Sequence, residues 1–244
     1  MHNTRDRSLV FPSKRIEKAI DGLKSCSTVM VHTEADVENL RTLGIEENVV
    51  MIPHGIYPPP SDSAESLPME GRVMGTFGFL LPHKGQLELI EAFDRLPGWD
   101  ELLLLCATRE GSGNMEKKVN SLIQNKGLTG RVRLVTDFLD DDVAISTLSK
   151  CELLVFPYQN TKESASGAVR MGVAAGVPLA VTPISIFDDI AGAIKMRGRS
   201  VDDIVASISA IGQKNLDSSR ESMIKLRDAL QWDEVAKRIQ ERLK

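Results

Sequence analysis

Two stretches of the chain carry residue types that could hold a phosphorylated ligand. The first is Gly78-Phe79-Leu80-Leu81-Pro82-His83-Lys84-Gly85, which closes a β-rich run and opens a helical one. Glycines at both ends let the backbone turn tightly and approach a ligand. A helix start offers free N–H groups and about half a positive charge, and Lys84 adds a mobile ammonium. The plainer alternative is a βα turn with a solvated lysine. The pattern GxxxxGK[ST] is absent, so this is not a Walker loop. The second stretch runs from Pro157 to Arg170, a polar loop that feeds small residues into a helix. Ser164, Ala165, Ser166 and Gly167 have little side-chain bulk, so a ligand could lie against the backbone amides. Glu163 can accept hydrogen bonds from hydroxyl groups, as sugar recognition requires, and Arg170 lies one turn inside the helix, in reach of a phosphate or of Glu163. The alternative here is a capped helix whose small residues serve close packing.

Other patterns argue against further chemistry. Gly111-Ser112-Gly113 begins like a dinucleotide fingerprint but lacks the third glycine. Asp140-Asp141-Asp142 could hold a divalent metal beside a nucleotide sugar, but acidic residues at a helix start stabilise its dipole without one. The three cysteines, Cys26, Cys106 and Cys151, have no CxxC spacing, and the four histidines are scattered. That argues against a disulfide framework and a zinc cage and fits a reducing cytoplasm. The cysteines read as core residues rather than nucleophiles. A net charge of −4 offers no basic field for nucleic acid or anionic lipid. The longest apolar run, Leu102 to Ala107, is far short of the roughly 20 residues of a membrane helix.

The elements that must position these residues follow from apolar periodicity and punctuation. Ser13 caps a helix over 14–25 with Ile16, Ile20 and Leu23 on one face. Residues 28–32 form a strand, Thr33 caps a helix that ends at Gly44, and 48–52 form another short strand. The stretch from Pro58 to Pro68 has four prolines and three serines in eleven residues and reads as a linker or long loop. Strands at 73–78, 102–107, 131–135, 153–157 and 178–181 then alternate with helices at 86–96, 114–126, 141–149 and 166–175. Helices over 201–213, 217–230 and 233–243 close the chain, the last with Val235, Ala236, Ile239 and Leu243 on one face. The strands are continuously apolar, as a parallel sheet covered on both faces demands. The expected fold is a doubly wound α/β sheet, Rossmann-like, with ligand loops at the carboxyl ends of its strands: 78–86, 107–114 and 157–167.

Taken together, the segments resemble the group 1 (family four) glycosyltransferases of GT-B fold, over about residues 25–244. Ser27 to Asp36 and Val50 to Ile56 look like the end of that family's amino-terminal domain, Gly78 to Gly85 like its donor-phosphate loop, and Gly127-Leu128 with Arg131-Val132 like the lead into its fourth donor-domain strand. Glu163 to Gly176 looks like its signature helix, and Trp232 to Ala236 like its closing helix, which crosses back to the first domain. The resemblance implies residues 1–55 as a remnant of the amino-terminal domain, 56–70 as linker, 71–230 as donor domain and 231–244 as closing helix. It implies retaining, metal-independent transfer of a sugar from a nucleotide-sugar donor to an acceptor saccharide or lipid-linked glycan, with no cofactor. Lys84 matches the diphosphate-contacting lysine, Glu163 the glutamate that holds donor-sugar hydroxyls, and the amides at Ser166, Gly167 and Ala168 the sugar-diphosphate cradle; Gly78, Gly85 and Arg170 complete the donor set. Truncating Lys84 or Glu163 is expected to weaken donor binding and spare the fold.

The chain departs from the family in three ways. Phe79 stands where the family often has an arginine, with Arg170 and Arg72 as candidate replacements. Met171 stands where a second glutamate holds the ribose. A thioether cannot accept the two strong bonds a carboxylate offers. The amino-terminal part is short, so a further domain or partner subunit is expected to complete the site, and a non-catalytic nucleotide-sugar module is the alternative. An unrelated receiver-like α/β domain is a third reading, disfavoured by the ordered motifs. No nucleic acid and at most peripheral membrane contact are expected.

Overall fold

The computed structural model describes residues 15–109, 112–161, 163 and 165–242. Ser13, the Ile16 side chain, Gly111, Ser164 and Leu243, on which some expectations fall, lie outside what is described.

The described residues begin with a helix, α1 (Arg15–Ser25), and a βαβ unit formed by β1 (Val29–Val31), α2 (Glu34–Thr42) and β2 (Val49–Met51). The two strands pair in parallel, Val29 opposite Val49 and Val31 opposite Met51. Thr33 caps α2 as its residue type predicts, its hydroxyl accepting from the Asp36 N–H at 3.2 Å. Gly44 takes the left-handed conformation past the helix end, φ +71°. Val29, Val31, Leu40 and Ile45 are buried together, with Ile20 and Leu23 of α1 against them.

Beyond Val73 strands and helices alternate: β3 (Val73–Phe79), α3 (Gln86–Asp94), β4 (Glu101–Ala107), α4 (Met115–Asn125), β5 (Val132–Val135), α5 (Asp141–Ser149), β6 (Leu153–Phe156), α6 (Gly167–Ala174), β7 (Leu179–Val181), β8 (Ile194–Lys195), α7 (Val201–Ser209), α8 (Gln213–Ala229) and α9 (Trp232–Arg242). The sheet order is β5-β4-β3-β6-β7-β8, and every pairing is parallel. Successive leucines of β4 point to opposite faces. Leu102 and Leu104 join Leu89, Ile90 and Phe93 under α3 and α4. Leu103 and Leu105 join Phe156, Val169 and Val173 under α5 and α6. Each such buried leucine contributes roughly 1.5–3 kcal/mol relative to exposure, so the two-sided core explains why alternation is lost from the sequence.

The order places the switch point between β3 and β6. The chain leaves β3 in one direction and returns to β6 on its other side, so the loops after these strands diverge and leave a crevice. They are the two stretches whose residues could bind phosphate.

Three elements differ from expectation. The helix expected over 201–213 stops at Ser209, and the one expected at 217 starts at Gln213. Gly212 separates them with extended backbone, its N–H bonded to the Asn215 side chain at 3.1 Å. The two-residue β8 is too short to leave a periodic signal. The Pro58–Pro68 stretch is irregular as expected, yet it is tied to the sheet domain along its length. Ser61 donates to Asp142 at 2.8 Å, the Leu67 N–H to Thr147 at 3.1 Å, and Arg133 to the Pro68 carbonyl at 2.9 Å.

The carboxyl end of the chain returns to the amino-terminal part. The Ile56 N–H donates to the Leu230 carbonyl at 2.8 Å. Trp232 lies over Gly55, where a Cβ would come within 2.3 Å of the indole, and 5.3 Å from the His54 ring. Of the α9 face expected to be apolar, Val235 is buried while Ala236 is exposed.

Candidate functional site

A cleft of about 480 Å³ opens at the switch point. That is within the usual size of a small-ligand site, roughly 300–1,000 Å³. It is lined by both candidate stretches, including Gly78, Lys84, Glu163, Ala165, Ser166, Gly167, Ala168 and Met171.

Close backbone approaches build its floor. Gly78 has φ +135°, and a Cβ there would meet the Ala168 Cβ at 3.0 Å. Gly85 has φ +76° and faces the Pro157 carbonyl. Between them Pro82–Lys84 form a single 3₁₀ turn, and the Gln159 N–H donates to the His83 carbonyl at 2.8 Å. Gly85 therefore joins the two loops and does not itself line the cleft. Lys84 is buried, its ammonium 3.0 Å from Glu163 Oε2 and 3.9 Å from the centre of the Tyr158 ring. His83 Nε2 lies 3.8 Å from the other carboxylate oxygen. Burial changes the expectation for truncation. Removing the Glu163 carboxylate strands a buried ammonium, so alanine there costs stability as well as binding, and glutamine is the cleaner substitution.

Ser166 caps α6, its hydroxyl 2.9 Å from the Tyr158 hydroxyl and accepting from the Val169 N–H at 3.4 Å. As the first residues of α6, Gly167 and Ala168 have N–H groups with no intrahelical acceptor, at the positive end of the helix dipole. Neither side chain obstructs them. Met171 lines the cleft one turn further on.

Arg170 does not line the cleft. It is buried, donating to the Ser166 carbonyl at 2.9 Å and to the Asp189 carboxylate. Burial pushes its pKa down, with Asp189 opposing; a guanidinium nonetheless stays charged. Its place in the donor set is corrected to that of a brace behind the α6 amino end. Arg72 cannot replace the charge absent at Phe79 either. It stands at the opposite end of β3, about 20 Å away at ~3.3 Å per residue, bonded to Glu152 and stacked 4.6 Å over Trp99.

The sequence reading missed other residues at the rim. Arg109, two residues past β4, lines the cleft with its guanidinium 4.6 Å over the Phe79 ring. The Gly111-Ser112-Gly113 stretch contributes through Ser112, whose hydroxyl accepts from the Arg109 N–H at 2.9 Å. Phe138 is 78% exposed there. Tyr57 hydrogen-bonds Asp141, which raises the phenol pKa. With Asp142 on Ser61, two of the three consecutive aspartates bind protein donors. Among the described residues no cluster of three His, Cys, Asp or Glu side chains is placed to hold a metal. Cys106 and Cys151 are buried, which pushes both thiols up to about 12 and leaves them inert.

Comparison with known proteins places this geometry in context. A family model described as glycosyl transferases group 1 matches residues 61–225. No curated protein matches the sequence. Among solved structures, Anabaena HepE in complex with UDP superposes with a TM-score of 0.79 at 17% identity, covering 99% of this chain and 71% of that one. Sucrose-phosphate synthase from Thermosynechococcus elongatus gives 0.77 at 17% identity, covering 93% and 60%. A UDP-forming α,α-trehalose-phosphate synthase from Burkholderia xenovorans, in complex with glucose-6-phosphate, gives 0.72 at 9% identity, covering 93% and 63%. At these identities the likeness is one of fold. The chain spans less than two thirds of the two synthases.

Proposed function

The chain belongs to the group 1 glycosyl transferases, and from that premise we propose that it binds a nucleotide sugar in the β3–β6 cleft as the donor half of a retaining, metal-independent glycosyltransferase. One observation carries this reading: Lys84 and Glu163, 79 residues apart in sequence, are 3.0 Å apart beside the bare amides of α6. The diphosphate lies against the Gly167 and Ala168 N–H groups and the Lys84 ammonium. Glu163 turns to the sugar hydroxyls once phosphate takes over Lys84. As the bond to the leaving phosphate breaks, negative charge grows where these donors already point. One preorganised donor of this kind is worth roughly 3–4 kcal/mol of barrier. Lys84 and the amides thus supply leaving-group stabilisation without a metal. The acceptor, a saccharide or lipid-linked glycan hydroxyl, approaches from the side of the βαβ unit, which a further domain or subunit completes.

The solved structures lend support through the ligands bound to HepE. HepE has been crystallised with UDP, with UDP and glucose, and with UDP-glucose. A second reading, a binding subunit that awaits a partner, is favoured by Trp232, 41% exposed beside the βαβ unit.

Calorimetric titration of UDP-, GDP- and ADP-sugars in excess chelator tests the proposal. One donor binds the wild type without metal and binds Glu163→Gln more weakly. Binding that requires a divalent cation, or that ignores the substitution, contradicts it. A transfer assay on the same chain separates enzyme from binding subunit.

A further inference from the structure

Resting on the reading of the cleft as a nucleotide-sugar site, we propose that Arg109 delivers to the donor diphosphate the cleft's one positive charge outside the Lys84–Glu163 pair and that the Phe79 ring holds it ready. The charged side chains lining the cleft are Lys84, Arg109, Asp137, Asp141 and Glu163. Lys84 is already matched by Glu163, and Asp137 and Asp141 add two further carboxylates to the lining. An anion carrying two or more charges therefore meets little net attraction from Lys84 alone. Among the described residues no carboxylate forms an ion pair with Arg109, which is exposed at the rim.

Two contacts fix where Arg109 stands. Phe79 and Ala107 are paired across the ends of β3 and β4, so a residue just past Ala107 reaches over the start of the Gly78–Gly85 loop. The guanidinium carbon lies 4.6 Å from the Phe79 ring centre. The backbone beneath it is held by Ser112, whose N–H donates to the Arg109 carbonyl at 2.9 Å while its hydroxyl accepts from the Arg109 N–H at 2.9 Å. Stacking occupies only the face of the planar cation. Its five N–H groups point outward in that plane, available for a two-pronged bond to phosphate oxygens. Phe79 is thus more than an apolar residue at a loop start: it replaces a flexible rim arginine by an oriented one.

The test compares UDP, GDP and ADP with their parent nucleosides by calorimetry at several salt concentrations. The proteins are the wild type, Arg109→Gln, Arg109→Lys, Phe79→Leu and the Phe79→Leu/Arg109→Gln double variant. The wild type is expected to bind one diphosphate, with affinity falling as salt rises. Arg109→Gln loses at least about tenfold for that diphosphate and little for its nucleoside, as removal of a charged hydrogen bond requires. Arg109→Lys recovers part of the loss. Phe79→Leu weakens the diphosphate, and adds nothing once Arg109 is gone, because the ring acts through the guanidinium. Wild-type affinity in Arg109→Gln, or an equal loss for diphosphate and nucleoside, overturns the role of Arg109 while leaving the cleft as a donor site. Failure of the wild type to bind any of the three diphosphates overturns the donor site, and the role of Arg109 falls with it.

Discussion

A Cβ on Gly85 would lie 1.9 Å from the carbonyl oxygen of Pro157. The loops after β3 and β6 thus touch backbone to backbone, and no side chain fits between them. Gly85 also has φ +76°, a conformation other residues adopt at a cost. Gly85→Ala is expected to lose more than about 2 kcal/mol of stability and to part the two loops. Urea unfolding checks it, and an unchanged midpoint would refute the close approach.

Lys84 and Glu163 respond differently to removal, because a buried ammonium that loses its carboxylate costs more than a part-exposed carboxylate that loses Lys84. Glu163→Ala is expected to destabilise the chain by about 1–3 kcal/mol, the cost of leaving a buried donor unsatisfied, and Lys84→Met by less. Both weaken donor binding. Thermal unfolding beside calorimetry separates the effects, and the reverse order of stabilities would contradict the burial of Lys84.

Glu152 gives a pH signature away from the cleft. Its hydrogen bond to Arg72 lowers the carboxyl pKa below the usual 4.5. A depressed folded-state pKa means stability present above 4.5 and lost as pH falls through the folded value. Glu152→Gln is expected to cost up to about 1 kcal/mol at pH 7, since both partners are substantially exposed. The gap to wild type closes below pH 4.5. A gap that does not narrow as pH falls below 4.5 would show that packing, not charge, is lost.

Cysteine reactivity reads out the core. Cys106 and Cys151 are buried with thiols near 12, while Cys26 is exposed. A thiol reagent at pH 8 should label one cysteine rapidly and the other two only on unfolding. Rapid labelling of all three would contradict the sheet's packing.

Much of this was legible in the sequence because the signals were local. Thr33 caps a helix where its type demands it, and the apolar runs at 102–107 and 153–157 read as buried parallel strands. The pairing of the two phosphate-type loops follows from strand order, which alternation of strands and helices restricts but does not fix. What escaped depends on contacts across the fold. Arg109 and Phe79 are thirty positions apart, and only the β3–β4 register stacks them; a cation just beyond a strand's carboxyl end was the available signal. Arg170 was misplaced because its carboxylate partner, Asp189, lies outside the local window. Arg72 could have been excluded from the strand reading itself, since it precedes β3 and the ligand end follows it. The break between α7 and α8 was placed four residues too late because Ile211 continued the apolar period beyond the helix end at Ser209.

The most direct measurement is a crystal structure of the chain with a bound nucleotide sugar. The expected result is a diphosphate within about 3 Å of the Gly167 and Ala168 amides and of Lys84 Nζ, the normal reach of charged hydrogen bonds, with Glu163 turned to the sugar. A donor bound elsewhere, with the Lys84–Glu163 pair intact, would contradict the site.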